Sequence, residues 1–252
     1  VNRDHPKEEI VTTPLTTLDQ STERVILAHW QQQGAHQGLQ TPPALTIALT
    51  RESGTQGTSV AREIGTRLNW PVYGYELVEM IAQKVGLRAS LLDSIDERRK
   101  SWMLEYAEGL SSTPGLSEIA YTRHLVETIL SLGTLGHCVI VGRGAAQILP
   151  QKSTLRVRLV GLLPDRVRTA GQQRGLSPAE AERYVKERDK QRDQFVKSHF
   201  FKDPSDPTQC DLLLNRSRWS VAESADLIVQ TLRFAEQRAM ESGSTENNPV
   251  RH

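Results

Sequence analysis

Residues 44–68 read ALTIALTRESGTQGTSVAREIGTRL, and three textures follow one another within them. ALTIALT is a short apolar run bounded by turn residues, which predicts a strand. RESGTQGTS is turn-rich, with Gly54 and Gly57 free to let the backbone curl. SVAREIGTRL then places Val60, Ile64 and Leu68 on one face of a helix. Strand, glycine loop and helix in that order form the context a phosphate loop requires. Successive N–H groups turn inward, and the helix dipole adds positive potential at the same place. The candidate phosphate contacts are Arg51, Ser53, Gly54, Thr55, Gln56, Gly57, Thr58 and Ser59. The hydroxyls of Thr58 and Ser59 fall at the helix start, where such groups cap a helix or ligate a nucleotide's Mg²⁺. The full G-x-x-x-x-G-K-[ST] pattern is absent, and no Gly-Lys dipeptide occurs in the chain. Taken alone, the loop is therefore also readable as an ordinary glycine-rich turn.

Working outward, NWPVYG predicts a second, short strand, and residues 75–132 are helical in pattern with a break at SSTPG. CVIVG is a continuous apolar run of the kind found in a strand buried on both faces. LRVRLVGLL and DLLLN predict two further strands. Ser177 with Glu180 forms a capping box with proline at the first helical position. Ser220 with Glu223 forms another, opening a terminal helix that is expected to end near Met240. Strands alternating with helices predict an α/β fold with a mostly parallel sheet and right-handed crossovers. Ligands in such sheets bind beyond the carboxyl ends of the strands, which singles out the loops after Thr50, Gly142 and Leu163. Residues 1–43 read as a polar tail, a short helix over 21–33 and a linker; 44–238 form the domain; 239–252 are expected to be a disordered tail.

The charges nearly cancel, with 31 Lys and Arg against 30 Asp and Glu for a net +1 over 252 residues. No basic excess is present to pair with a nucleic acid or an anionic membrane, so any basic site must be local. Cys138 and Cys210 fit neither a disulfide framework nor a zinc cluster, and read as reduced thiols. With no apolar stretch of ~18 residues and no signal-peptide pattern at the start, the expectation is a soluble cytoplasmic protein. His124, His137 and His199 lack metal-like partners at helical spacing, and Trp70, Trp102 and Trp219 are expected to pack.

The chain from Leu45 to about Phe234 resembles the cytidylate-kinase-like family of phosphate-loop nucleoside monophosphate kinases. Four segments carry the likeness in order: residues 45–82, CVIVGRGAAQILP at 138–150, residues 155–195, and DLLLNRSRWSVAESADLIV at 211–229. VIVGRGAAQILP is the most specific of them. The resemblance implies a three-layer parallel sheet of the phosphate-loop NTPase type, a helical insertion over the monophosphate site at about 75–132, and a short arginine-bearing lid at about 183–205. It implies ATP with Mg²⁺ as donor and a small phosphorylated acceptor such as CMP or dCMP.

Arg143 sits just past the end of a buried strand, where a planar guanidinium suits bidentate contact with phosphate. The resemblance gives it the acceptor. KERDKQRDQF sets Arg188 and Arg192 four apart on one helical face, with Asp189 beside them. The resemblance makes the two arginines catalytic cations of the lid and gives Asp189 to the acceptor. Three positions depart from the family's pattern. The loop lysine is missing, Gly144 stands where an acid follows the arginine, and Gly74 stands where an acid follows the aromatic. Losing one charge-assisted contact costs about 1.5–3 kcal/mol, or roughly tenfold to a hundredfold in rate. Arg51 is the candidate substitute for the lysine. Two function readings follow: a kinase that moves the γ-phosphoryl of ATP to a nucleoside monophosphate, and a degenerate module that binds a nucleotide or phosphorylated ligand without transfer.

Overall fold

The computed structural model describes residues 44–74, 85–93 and 116–246, together with Ala28, Trp30, Gln31, Val78, Ile81, Ala82 and Ile95. Its strands are β1 (Thr46–Arg51), β2 (Val72–Tyr73), β3 (Val139–Val141), β4 (Thr154–Val160) and β5 (Leu212–Asn215). They form one sheet in the order β2-β3-β1-β4-β5. Every pairing in it is parallel. The helices are α1 (Gly57–Leu68), α2 (Val85–Asp93), α3 (Leu116–Leu135), α4 (Ala145–Ile148), α5 (Leu163–Arg174), α6 (Pro178–Phe200) and α7 (Val221–Glu246).

Each central strand divides its side chains between two cores, as the two-residue period of a strand demands. Ile47, Leu49, Val139, Val141, Val157 and Leu159 pack beneath α1 and α7. Ala48, Cys138 and Ile140 point the other way, into a core shared with α3, α4, Tyr73 and Trp30. Trp30 Nε1 donates to the Tyr73 hydroxyl at 3.1 Å, so helical residues from before the domain reach its core. The rest of the helix expected over 21–33 lies outside the described residues, as do Trp102 and the SSTPG break. Burial pushes the Cys138 thiol up to about 12, consistent with a small apolar role.

Several boundaries differ from expectation. β4 stops at Val160 because α5 begins at Leu163 with a proline in its first turn. The terminal helix continues past Met240 to Glu246, so the expected disordered tail is helical through that residue. A single interior glycine costs only about 1 kcal/mol against alanine, too little to end a long helix. Trp219 is 43% exposed rather than packed. Both capping boxes form as expected. Among the described residues, no helix is long and apolar enough to cross a membrane.

Candidate functional site

β1 ends at Arg51, and the chain turns through Glu52–Gln56 into α1. Gly54 has φ +82° and Gln56 has φ +56°, so the loop needs two left-handed residues to reverse direction. Gln56 is the N-cap and its side chain makes no capping bond. The expected cap by Thr58 or Ser59 is therefore absent, since the helix starts one residue before them. The first intrahelical bond runs from Val60 N–H to Gln56 O at 3.1 Å. The amides of Gly57, Thr58 and Ser59 thus precede the helical ladder, and the dipole makes them a place for anions. Thr58 is exposed and Ser59 half-buried.

The loop is held from three sides. Glu52 accepts from Gly161 N–H at 2.9 Å and pairs with Arg166 Nε at 3.2 Å. Arg166, at the start of α5, also donates to Ser53 O at 3.2 Å and to Asp189 Oδ2 at 2.5 Å. Asp189 in turn accepts from Ser53 N–H at 2.7 Å. Arg192 donates to the Ser53 hydroxyl at 2.8 Å and lies 3.6 Å from Asp189. From the far side, Arg216 donates to Thr55 O at 3.1 Å and to Gln56 Oε1 at 3.0 Å. Burial lowers the Arg192 and Arg216 guanidinium groups from their ordinary value, opposed at Arg192 by Asp189 and at Arg216 by Glu223.

β3 ends in a turn of unusual shape. Gly142, Arg143 and Gly144 are all left-handed, with φ of +80°, +53° and +75°. An arginine in that region is strained by about 1–2 kcal/mol, and the glycines around it are not. The turn brings the Arg143 guanidinium to 5.4 Å from the centre of the Phe195 ring on α6. It also lets Gly142 pass close to Arg51, where a Cβ would sit 2.3 Å from Arg51 Nη1. The Arg51 side chain thus bridges the ends of β1 and β3.

Between these strand ends and α6 lies a cavity of about 270 Å³. Arg51, Arg143, Arg158, Arg188 and Arg192 line it, against the carboxylates of Glu52, Asp189 and Asp193. Two positive charges are left over in a chain whose net charge is +1. The α6 residues reach it from successive turns of one face, at 188–189, 192–193 and 195–196.

Of the residues singled out in the sequence, Arg51, Arg143, Arg188, Asp189 and Arg192 converge on this cavity. Ser53, Gly54, Thr55, Gln56, Gly57, Thr58 and Ser59 form the adjoining loop and helix start, outside the cavity's lining. The segment expected as a lid, about 183–205, falls largely on α6, a 23-residue helix from the Ser177 cap to Phe200 that begins before that segment and ends short of it. Arg158, Arg166, Arg216 and Gln147 were missed. Only Arg158 left a signal: LRVRLV alternates, and β4 is an interior strand, so an arginine on it faces a covered side of the sheet. The charged run DERRKSW at 96–102, whose Arg98 and Arg99 the resemblance would bring toward a monophosphate, lies outside the described residues. Among the described residues, no three His, Cys, Asp or Glu side chains gather as a metal site.

The chain belongs to the cytidylate kinase-like family, whose model matches residues 46–218. The match falls on the all-parallel α/β sheet with its flanking helices and the glycine loop between β1 and α1. Among solved structures, an uncharacterized protein from Eubacterium ventriosum ATCC 27560 superposes with a TM-score of 0.61 at 21% identity, covering 75% of this chain and 98% of that one. A shikimate kinase from Bacteroides thetaiotaomicron gives 0.41 at 14% identity, with 75% and 98% of the two chains covered. A gluconokinase from Sinorhizobium meliloti 1021 gives 0.39 at 14% identity, with 83% and 100% covered. No curated protein matches the chain.

Proposed function

We propose that this protein is an ATP-dependent kinase of small phosphorylated acceptors, with a nucleoside monophosphate such as CMP or dCMP as the acceptor class. The observation that carries the reading is the convergence of five arginines on one cavity beside a glycine loop and a helix N-terminus. An acceptor phosphate is already an anion and needs no strong general base. Catalysis rests on positioning and on cations near the moving phosphoryl group. Arg143 takes the acceptor phosphate, and Arg188 and Arg192 approach from α6. Arg51 supplies the charge that a loop lysine supplies elsewhere; its side chain passes directly beneath Gly57, where a Cβ would meet Arg51 Cγ at 2.7 Å.

The donor set near the loop fits Mg²⁺ only lightly. Glu52 and Asp189 are both engaged by Arg166, which leaves the hydroxyls of Thr58 and Ser59. That suits an ion held mainly by water and nucleotide oxygens. Bound with ATP, such an ion would supply charge neutralisation at the phosphates.

The second reading, binding without transfer, is favoured by one contact. The Asp189 carboxylate occupies Ser53 N–H, an amide at the foot of a loop that carries no lysine. A single experiment separates the two. The protein is incubated with ATP·Mg²⁺ and each nucleoside monophosphate, and the products are resolved chromatographically alongside Arg143→Ala. The expected result is diphosphate from one acceptor, with kcat/KM falling at least about a hundredfold in the variant. ATP binding by calorimetry with no diphosphate from any acceptor would establish the second reading. Full turnover by Arg143→Ala would remove that residue from the acceptor site.

A further inference from the structure

Arg158 stands near the carboxyl end of β4, opposite Thr50 of β1, and both residues line the cavity. Val157 and Leu159 on either side of it pack into the core beneath α1. Alternation along the strand therefore sends the Arg158 side chain to the opposite face of the sheet. Arg51 behaves differently, because its side chain passes beneath Gly57 at the start of α1 and on to Gly142. The cavity thus has two cationic poles, one beside the glycine loop and one toward the segment that follows α6.

One arm of the Arg158 guanidinium, Nη1, donates to Pro204 O. Among the described residues, its Nε and Nη2 have no hydrogen-bond partner, and both stay accessible, unlike the buried Nε of Arg156 two residues before. The nearby carboxylates are Asp193 and Asp203, which Arg158 attracts without closing an ion pair among the described residues. Lys197 shares both of them and lies 3.9 Å from Asp203. Glu52 and Asp189, the other two acids of the cavity wall, are engaged by Arg166. A cation on an interior strand, tied by one arm with two donors to spare, is a poor choice for stability alone. It is the pattern expected of a site that an anionic ligand completes.

Nε–H and Nη2–H lie along one edge of a guanidinium, and that edge grips a carboxylate or a phosphate with two parallel bonds. A phosphate that takes part in transfer has to lie at the other pole, near the loop that Arg51 and Arg192 approach. Resting on the acceptor reading above, we propose that Arg158 binds a second anionic group of the acceptor, a carboxylate or phosphate separate from the phosphate that receives the phosphoryl group.

The test is calorimetric titration with matched pairs of phosphate monoesters: glycerol 3-phosphate against 3-phosphoglycerate, and CMP against cytidine 3′,5′-bisphosphate. The second member adds a carboxylate in the first pair and a phosphate in the other. Wild type is compared with Arg158→Met, Arg158→Lys and Arg168→Met. Arg168 is exposed, pairs with Asp165 and lies outside the cavity lining, so its loss controls for long-range attraction. Wild type is expected to prefer the added anion of one pair by about tenfold to a hundredfold. Arg158→Met removes that preference and keeps the affinity for glycerol 3-phosphate and CMP within about twofold. Arg158→Lys keeps the charge and a donor for Pro204 O but loses the two-donor edge, so it retains part of the preference. Arg168→Met retains all of it. The pair that shows the preference assigns the group as carboxylate or phosphate, and preference in both pairs would show that either is taken.

Equal affinity within each pair in wild type overturns the proposal and leaves the acceptor reading standing. A preference that survives Arg158→Met does the same. Equal weakening of all four ligands in Arg158→Met, with a lowered melting temperature, would make Arg158 only the structural tie to Pro204 and overturn the proposal. Wild type that binds none of the four overturns both readings.

Discussion

Gly54 shows how little freedom the loop has. With φ at +82°, a Cβ there would sit 2.2 Å from the carbonyl oxygen of Arg166. That oxygen is backbone and cannot swing aside. Gly54→Ala is therefore expected to lose at least about 2 kcal/mol, read from urea unfolding midpoints at unchanged m-value. Asp193 gives a pH-dependent case in the cavity wall. Burial raises its carboxyl from the ordinary value, against the attraction of Arg158 and Lys197. A raised folded-state value means the native protein holds the proton more tightly than the unfolded chain does. Asp193 thus costs stability as pH rises from the ordinary aspartate range through the raised value. Asp193→Asn is expected to melt higher than wild type at about pH 7, with the advantage shrinking toward about pH 4. A constant difference across that range would refute the assignment.

At the scale of elements, Arg166 joins β1's loop, α5 and α6. One guanidinium reaches Glu52, Ser53 O, Gly161 O and Asp189, and its side chain is 11% exposed. Replacing it removes the cation shared by two half-buried carboxylates, leaving Glu52 with the Gly161 amide and Asp189 with the Ser53 amide and the more distant Arg192. Arg166→Met is expected to lose about 3 kcal/mol, at the low end for a broken buried pair because both acids keep some water. Chemical denaturation measures it. The elements themselves were legible from local pattern. CVIVG became β3 because a strand between two cores needs apolar residues on both faces. Ser177 and Glu180 marked the start of α6 because a capping box is a contact between residues three apart. The hub at Arg166 was not legible, since its acidic partners are 114 and 23 residues away in the chain. Nothing in the local pattern LPDRVR distinguishes that arginine from its neighbour Arg168, which pairs with Asp165 in the same helix.

For the whole molecule, net charge misleads about where charge acts. The chain is nearly neutral, yet the cavity gathers five arginines against three carboxylates. Its field is strong over a short range and is screened by salt. Pyrophosphate affinity is expected to fall on the order of tenfold between ~0.05 and ~0.5 M salt, measured by titration, whereas a salt-independent affinity would place binding elsewhere.

The sequence by itself determined the order of elements, the parallel sheet and the loop after β1, and it singled out Arg143, Arg188, Asp189 and Arg192, which converge on one cavity. Periodicity, caps and glycines act over a few residues, so they are written where they operate. Only the tertiary structure decided what those groups meet. It placed Asp189 on Ser53 N–H, ran Arg51 beneath Gly57 to Gly142, and buried the Gln147 carboxamide oxygen without a hydrogen-bond partner among the described residues. Those facts depend on how a parallel sheet draws strand ends from distant parts of the chain to one edge, and local pattern carries no record of that distance.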